Sequence, residues 1–151
     1  IDYLKYEKKH KQMQDTGTPA PINRYIDVEI SIPGCPPDRN EIKTLIKDLL
    51  LGKSFRNCED PVCRECRLYE NGCLLDKDQI CLGPLTRGGC SAVCTSNGFL
   101  CYGCRGTTAD ANFKEYFELL ESKGISPIEI KKHMETFAGL EINKRLKSQK
   151  S

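Results

Sequence analysis

The chain has 151 residues, of which 38% are hydrophobic and 29% charged, with a net charge of +2 and no tryptophan. That length allows one domain, or a small domain with a fragment of another. The slight charge sets up no strong field toward DNA or an anionic membrane, and no apolar run approaches a bilayer span, so nucleic-acid binding and direct membrane insertion are set aside.

The chain opens on Ile1 with no initiator Met and no apolar signal segment, which leads to the expectation that it is N-terminally truncated. Its first residues are rich in charge (Lys5, Lys8, Lys9, His10, Lys11) and read as a solvated helix or tail that ends in the loop Thr16 to Pro21. Tyr25 to Ile32 then alternates, with Ile26, Val28, Ile30 and Ile32 on one face and Asp27, Glu29 and Ser31 on the other. Period two with β-branched residues predicts a strand.

Pro33-Gly34-Cys35-Pro36-Pro37 follows as a rigid turn. Asp38 is placed to cap a helix, with Glu41 at the capping-box position, an apolar face of Ile42, Leu45, Ile46 and Leu49, and a stop at Gly52. This is a strand–turn–helix unit of an α/β sheet, whose partner strands would have to lie upstream. Cys35 sits at the carboxyl end of the strand, where open α/β folds place their sites. Held between Gly34 and two prolines, it reads as a ligand whose partners are absent from the chain.

From Phe55 to Gly106 no long periodic pattern survives, so order there is expected to come from something other than an apolar core. Beyond it, Phe113, Tyr116, Phe117 and Leu120 mark an amphipathic helix that closes near Gly124. Ser126-Pro127-Ile128-Glu129 opens a second helix with the apolar face Ile130, Met134 and Phe137. The basic tail after Gly139 is expected to fray or to dock on a partner. His10 and His133 stand alone, and surface or packing roles suit them better than catalysis.

Ten cysteines dominate the composition, nine of them between Cys58 and Cys104. Disulfides are a poor account, because the pairs Cys63-Arg64-Glu65-Cys66 and Cys101-Tyr102-Gly103-Cys104 are too close to staple distant segments. Two chemistries remain open: four-thiolate zinc sites and iron–sulfur cubanes. Both are served by two quartets, Cys63, Cys66, Cys73 and Cys81, then Cys90, Cys94, Cys101 and Cys104. Each quartet has one CxxC and wider spacings, with glycines between ligands that let the backbone approach. Cys58 falls outside both and reads as an ordinary thiol, with its replacing Cys94 in the second quartet as the alternative. The spacing favours iron–sulfur over zinc without excluding either.

At this point the residues resemble a known family. Ile32-Pro33-Gly34-Cys35-Pro36-Pro37 is similar to the turn in nickel–iron hydrogenase small subunits that carries the last ligand of the proximal cluster. Cys81-Leu82-Gly83-Pro84-Leu85-Thr86-Arg87-Gly88-Gly89-Cys90, followed by Cys101 to Cys104, resembles the distal and medial cluster segment of the same family. The likeness covers roughly residues 25–106 and is strongest to the cytoplasmic sulfhydrogenase and F420-non-reducing (methyl-viologen-type) small subunits.

The resemblance implies an α+β chain: the end of a flavodoxin-like α/β domain over residues 1–54, then an irregular, helix-containing iron–sulfur domain over 55–151. It implies a distal [4Fe-4S] cluster on Cys63, Cys66, Cys73 and Cys81, and a medial one on Cys90, Cys94, Cys101 and Cys104. Cys35 would serve a third, proximal cluster of the full-length protein. The implied partners are a nickel–iron large subunit that activates H₂ and an acceptor subunit carrying flavin or iron–sulfur groups. The expected location is cytoplasmic, and no catalytic residue is expected in this chain. A zinc-organised interaction module and a free ferredoxin-like carrier are the competing readings.

Overall fold

The computed structural model describes the backbone of residues 22–148, with side chains to Phe137 apart from Arg24. The lysine-rich opening, His10 and the Thr16–Pro21 loop lie outside the described residues. The chain divides into two compact units, Ile1–Ser31 and Ile32–Ser151.

The described part of the first unit is a 3-10 turn, Ile22–Arg24, whose Ile22 carbonyl accepts from the amides of Tyr25 and Ile26 at 3.0 and 3.2 Å. The strand expected from Tyr25 to Ile32 does not form. Ile26, Val28 and Ile30 are exposed, and among the described residues β pairing is confined to isolated bridges. Alternation supplies a face, but a strand also needs a neighbour for its backbone groups.

The second unit is helical with long connections. Helix α1 (Arg39–Leu50) starts as expected: the Asp38 carboxylate accepts from the amides of Asn40 and Glu41 at 2.8 and 3.1 Å. Its partner in the expected capping box behaves differently, because both Glu41 carboxylate oxygens are taken by Arg105. No α1 residue is fully buried, and Ile46, Leu49 and Leu50 are exposed.

Helix α2 (Val62–Leu68) and the four-residue α3 (Val93–Ser96) lie within the cysteine-rich stretch, with 3-10 turns at Leu75–Lys77 and Gly83–Leu85. Residues 82–88 run between two other segments and bond to both. The Leu82 and Arg87 amides donate to the carbonyls of Cys101 and Gly106, the Thr108 amide to that of Leu85. On the other side the Val62 amide donates to Thr86 and the Gly88 amide to Asp60.

Helix α4 (Phe113–Ser122) is capped by Asn112, whose side chain accepts from the Glu115 amide at 3.2 Å, and Gly124 closes it at φ +80°. Helix α5 (Pro127–Ser148) is capped by Ser126 through the Glu129 amide at 3.2 Å. It continues as a helix through Gly139 to Ser148, against the frayed tail that was one of two expectations: the segment carries no proline, and Leu, Lys and Arg are good helix formers.

Phe113, Tyr116 and Leu120 of α4 and Ile130 and Met134 of α5 form a core with Ile80, Leu82 and Leu85. A second cluster joins Val62, Leu74 and Ala92 to Cys81 and Cys101. The cysteine-rich stretch therefore does contribute apolar residues to a core, contrary to the expectation from its lack of periodicity. Single leucines delivered by turns pack as well as a helical stripe does.

Candidate functional site

Helix α2 carries Cys63 and Cys66 three residues apart, so both thiols leave one face. The chain returns through the Leu75–Lys77 turn and brings Cys73 and Cys81 to the same place. These four thiols line a first cavity of about 350 Å³, together with Leu74, Gly83 and Thr95. Burial pushes the Cys63 thiol up to about 11, and the neighbouring Cys81, Cys66 and Cys73 add to the rise. Burial raises Cys81 too, opposed by the amides of Gly83 and Cys101 that face its sulfur.

A second cavity, of about 200 Å³, is lined by Cys90, Cys94, Cys101 and Cys104, and also by Cys35. Burial drives Cys101 up to about 12, against the pull of the Gly103 amide and the Thr86 hydroxyl. Cys90 is raised by burial and then by the Glu65 carboxylate, opposed by the Ala92 amide and by Arg105. Cys94 is raised by burial and by Cys104. The sequence set Cys35 apart from this quartet; the structure brings its turn to the same cavity wall. Cys58 lines neither cavity, and its thiol donates to the Asp60 carbonyl at 3.8 Å.

Three polar residues that the sequence did not single out build these walls. Arg105, only 1% exposed, donates from Nε to the Gly88 carbonyl at 2.5 Å and from Nη1 to the Pro33 carbonyl at 2.9 Å. It also pairs with both Glu41 oxygens, at 2.8 and 2.5 Å. It thus fastens α1 and the Cys35 turn to the second cavity. Burial alone would lower its pKa, but the bonds and charge of Glu41 outweigh that and raise it. Gly89, at φ +96°, passes directly over this pair, and a Cβ there would come 2.5 Å from Nη2.

Glu65 sits between Cys63 and Cys66 on α2 and reaches the other cavity. It accepts from the Gly89 and Ala92 amides at 2.5 and 2.9 Å, holding a turn in which Ser91 and Ala92 both have positive φ. Thr95, on α3, stands 2.8 Å from Cys66 Sγ and lines both cavities. Each of the three adjoins a cysteine in sequence, which is the one signal that could have found them. His133 packs as expected, stacked on Tyr102 with ring centroids 4.6 Å apart and Nε2 3.3 Å from the Cys101 carbonyl.

None of the ten thiols is in a disulfide. Among the described residues no three His, Cys, Asp or Glu side chains converge on one metal ion; the thiols stand around cavities instead. Four thiolates on a single zinc would lie about 3.8 Å apart, given a Zn–S bond of about 2.3 Å. All-cysteine sets around partly open cavities fit soft-metal chemistry, zinc or a multinuclear iron–sulfur group.

Such an arrangement places the chain among cysteine-rich proteins whose thiols are available as ligands. Its relatives are more particular. It is 44% identical over 122 residues to sulfhydrogenase 2 subunit delta of Pyrococcus furiosus, covering 80% of this chain and 51% of that protein. It is 28% identical over 153 residues to an F420-non-reducing hydrogenase subunit of Methanothermobacter thermautotrophicus, covering 82% of this chain and 50% of that one. The F420-non-reducing hydrogenase iron-sulfur subunit of Archaeoglobus profundus is 27% identical over 114 residues, 57% of this chain and 36% of the relative. The chain spans about half the length of the first two. No family model matches it. These likenesses are to hydrogenase subunits, one of them named an iron–sulfur subunit. Among the described residues no helix is long and apolar enough to cross a membrane.

Proposed function

We propose that the chain is part of the electron-transfer small subunit of a nickel–iron hydrogenase, of the sulfhydrogenase or F420-non-reducing type. The observation that carries the reading is the pairing of two thiol-lined cavities with hydrogenase subunits as relatives.

Cys63, Cys66, Cys73 and Cys81 would hold one [4Fe-4S] cluster, and Cys90, Cys94, Cys101 and Cys104 a second. Cys35 would serve a third, completed by ligands outside this chain. Bound clusters supply one-electron transfer. The chain's own residues exclude water from the buried thiols and aim amide donors at them: Gly83 at Cys81, Ala92 at Cys90 and Gly103 at Cys101. Arg105 and Glu65 fix the loops that carry these donors. The partners in this reading are an H₂-activating large subunit and an acceptor subunit with flavin or iron–sulfur groups, in the cytoplasm.

The test is iron, zinc and acid-labile sulfide analysis of anaerobically purified protein, with reduced-state electron paramagnetic resonance (EPR) on the same sample. The reading requires about four irons and four sulfides per quartet, with Cys66→Ser and Cys104→Ser each removing a different signal. About two zincs without labile sulfide would replace it with a zinc-organised module. Co-purification with a nickel-containing subunit tests the partner.

A further inference from the structure

Thr95 belongs to the second cavity by sequence, following Cys94 directly, yet its hydroxyl lies against a thiol of the first. Its Oγ1 is 2.8 Å from Cys66 Sγ, a residue 29 positions away, and 3.0 Å from the Ala92 carbonyl of its own turn. The contact is fixed from both sides. Glu65, one residue before Cys66, holds the Ala92 amide at 2.9 Å, and Ala92 is buried in the wall of the second cavity.

The chemistry of the pair changes with ligation. A Cys66 thiol can donate to Thr95, which then passes its own proton to the Ala92 carbonyl. A ligating thiolate has no proton and can only accept, so the single hydroxyl proton has to serve either the sulfur or the carbonyl. A charged acceptor makes the stronger bond, and more so when an added electron raises the negative charge on the sulfurs. A donor to a ligating sulfur therefore favours the reduced state and raises the potential.

We propose that Thr95 tunes the cluster of the first cavity: its hydroxyl donates to the Cys66 sulfur and holds that cluster at a higher potential than it would otherwise have. The inference rests on the cluster reading proposed above. It makes Thr95 a positioned donor rather than a ligand, and it assigns the effect to one cluster of the two.

The test is an EPR-monitored redox titration of the whole protein, isolated anaerobically with the subunits it carries, beside iron and sulfide analysis. Thr95→Val removes the hydroxyl at nearly constant shape, and Thr95→Ser keeps it. The expected result is full iron content in both variants. In Thr95→Val the midpoint of the signal lost in Cys66→Ser should move down, with the signal lost in Cys104→Ser unmoved and Thr95→Ser at wild type. An unshifted Thr95→Val, or an equal shift in Thr95→Ser, would overturn the inference. If Thr95→Val loses iron, Thr95→Ala carries the same expectation; loss from both, with Thr95→Ser intact, would make Thr95 an assembly residue and overturn it as well. Wild-type protein without iron and labile sulfide would instead remove the cluster reading itself.

Discussion

Arg105 and Glu41, 64 residues apart, form a two-pronged ion pair in which the guanidinium is 1% and the carboxylate 17% exposed. Removing one partner of such a pair strands the other charge, at a cost of about 3–5 kcal/mol. Arg105→Met and Glu41→Ala are each expected to lower stability by that order, read from denaturation midpoints, and the double variant by less than their sum. Gly89→Ala, which drives a Cβ into Nη2 at positive φ, should destabilise in the same direction.

The turn at Ser91 and Ala92 depends on Glu65. Its carboxylate satisfies two amides, and hydrogen bonds to charged groups contribute about 1.5–3 kcal/mol each. Glu65→Ala is expected to speed amide hydrogen exchange at Gly89 and Ala92, while the bonds inside α4 stay protected. Glu65→Gln, which keeps one acceptor oxygen, should fall between.

Buried thiols give the cluster-free protein a defined response to alkali. Cys63 titrates near 11 and Cys101 near 12 in the folded chain, against an ordinary value of 9.0. Above 9.0 the unfolded chain has released protons that the folded chain keeps, so stability falls as pH rises. The contribution is whole below pH 9.0 and is lost as pH climbs through about 11 to 12. Denaturation midpoints across that window should decline, and Cys101→Ala should flatten the decline. The same burial means that loading iron displaces protons, so the rate of reconstitution should rise toward pH 9.

Cys35 supplies a test of ligand sets. It shares a cavity with a complete quartet, so five thiols surround a space where a cubane takes four. If Cys35 serves a third cluster, Cys35→Ser in the whole protein should remove about a third of the iron and leave both quartet signals intact. Loss of the signal that Cys104→Ser abolishes would move Cys35 into the second cavity's own ligand set.

Helices α1 and α5 were legible because each announces itself twice, by a cap (Asp38, Ser126) and by an apolar stripe, and α4 by its stripe and its closing glycine; the Asn112 cap was not read. The structure sets the thiols of each quartet around one cavity, and it adds Cys35 to the second, which nothing in the local sequence indicated. Arg105, Glu65 and Thr95 were not, since a polar residue in an aperiodic loop gives no sign of burial until its partners are placed. Glu41 was noticed for a local reason and serves a distant one. The alternation at Tyr25 to Ile32 failed in the opposite way: its local signal is strong, and the neighbour that would use it is not among the described residues.

Residues 82–88 are shared property. The segment leaves Cys81 in one cavity and arrives at Cys90 in the other, bonded on both flanks along the way. In the proposed cluster-bound protein, whichever cavity filled first would stiffen a span that leads to a ligand of the other. The two sites should therefore load cooperatively, with half-filled chains scarce at intermediate iron.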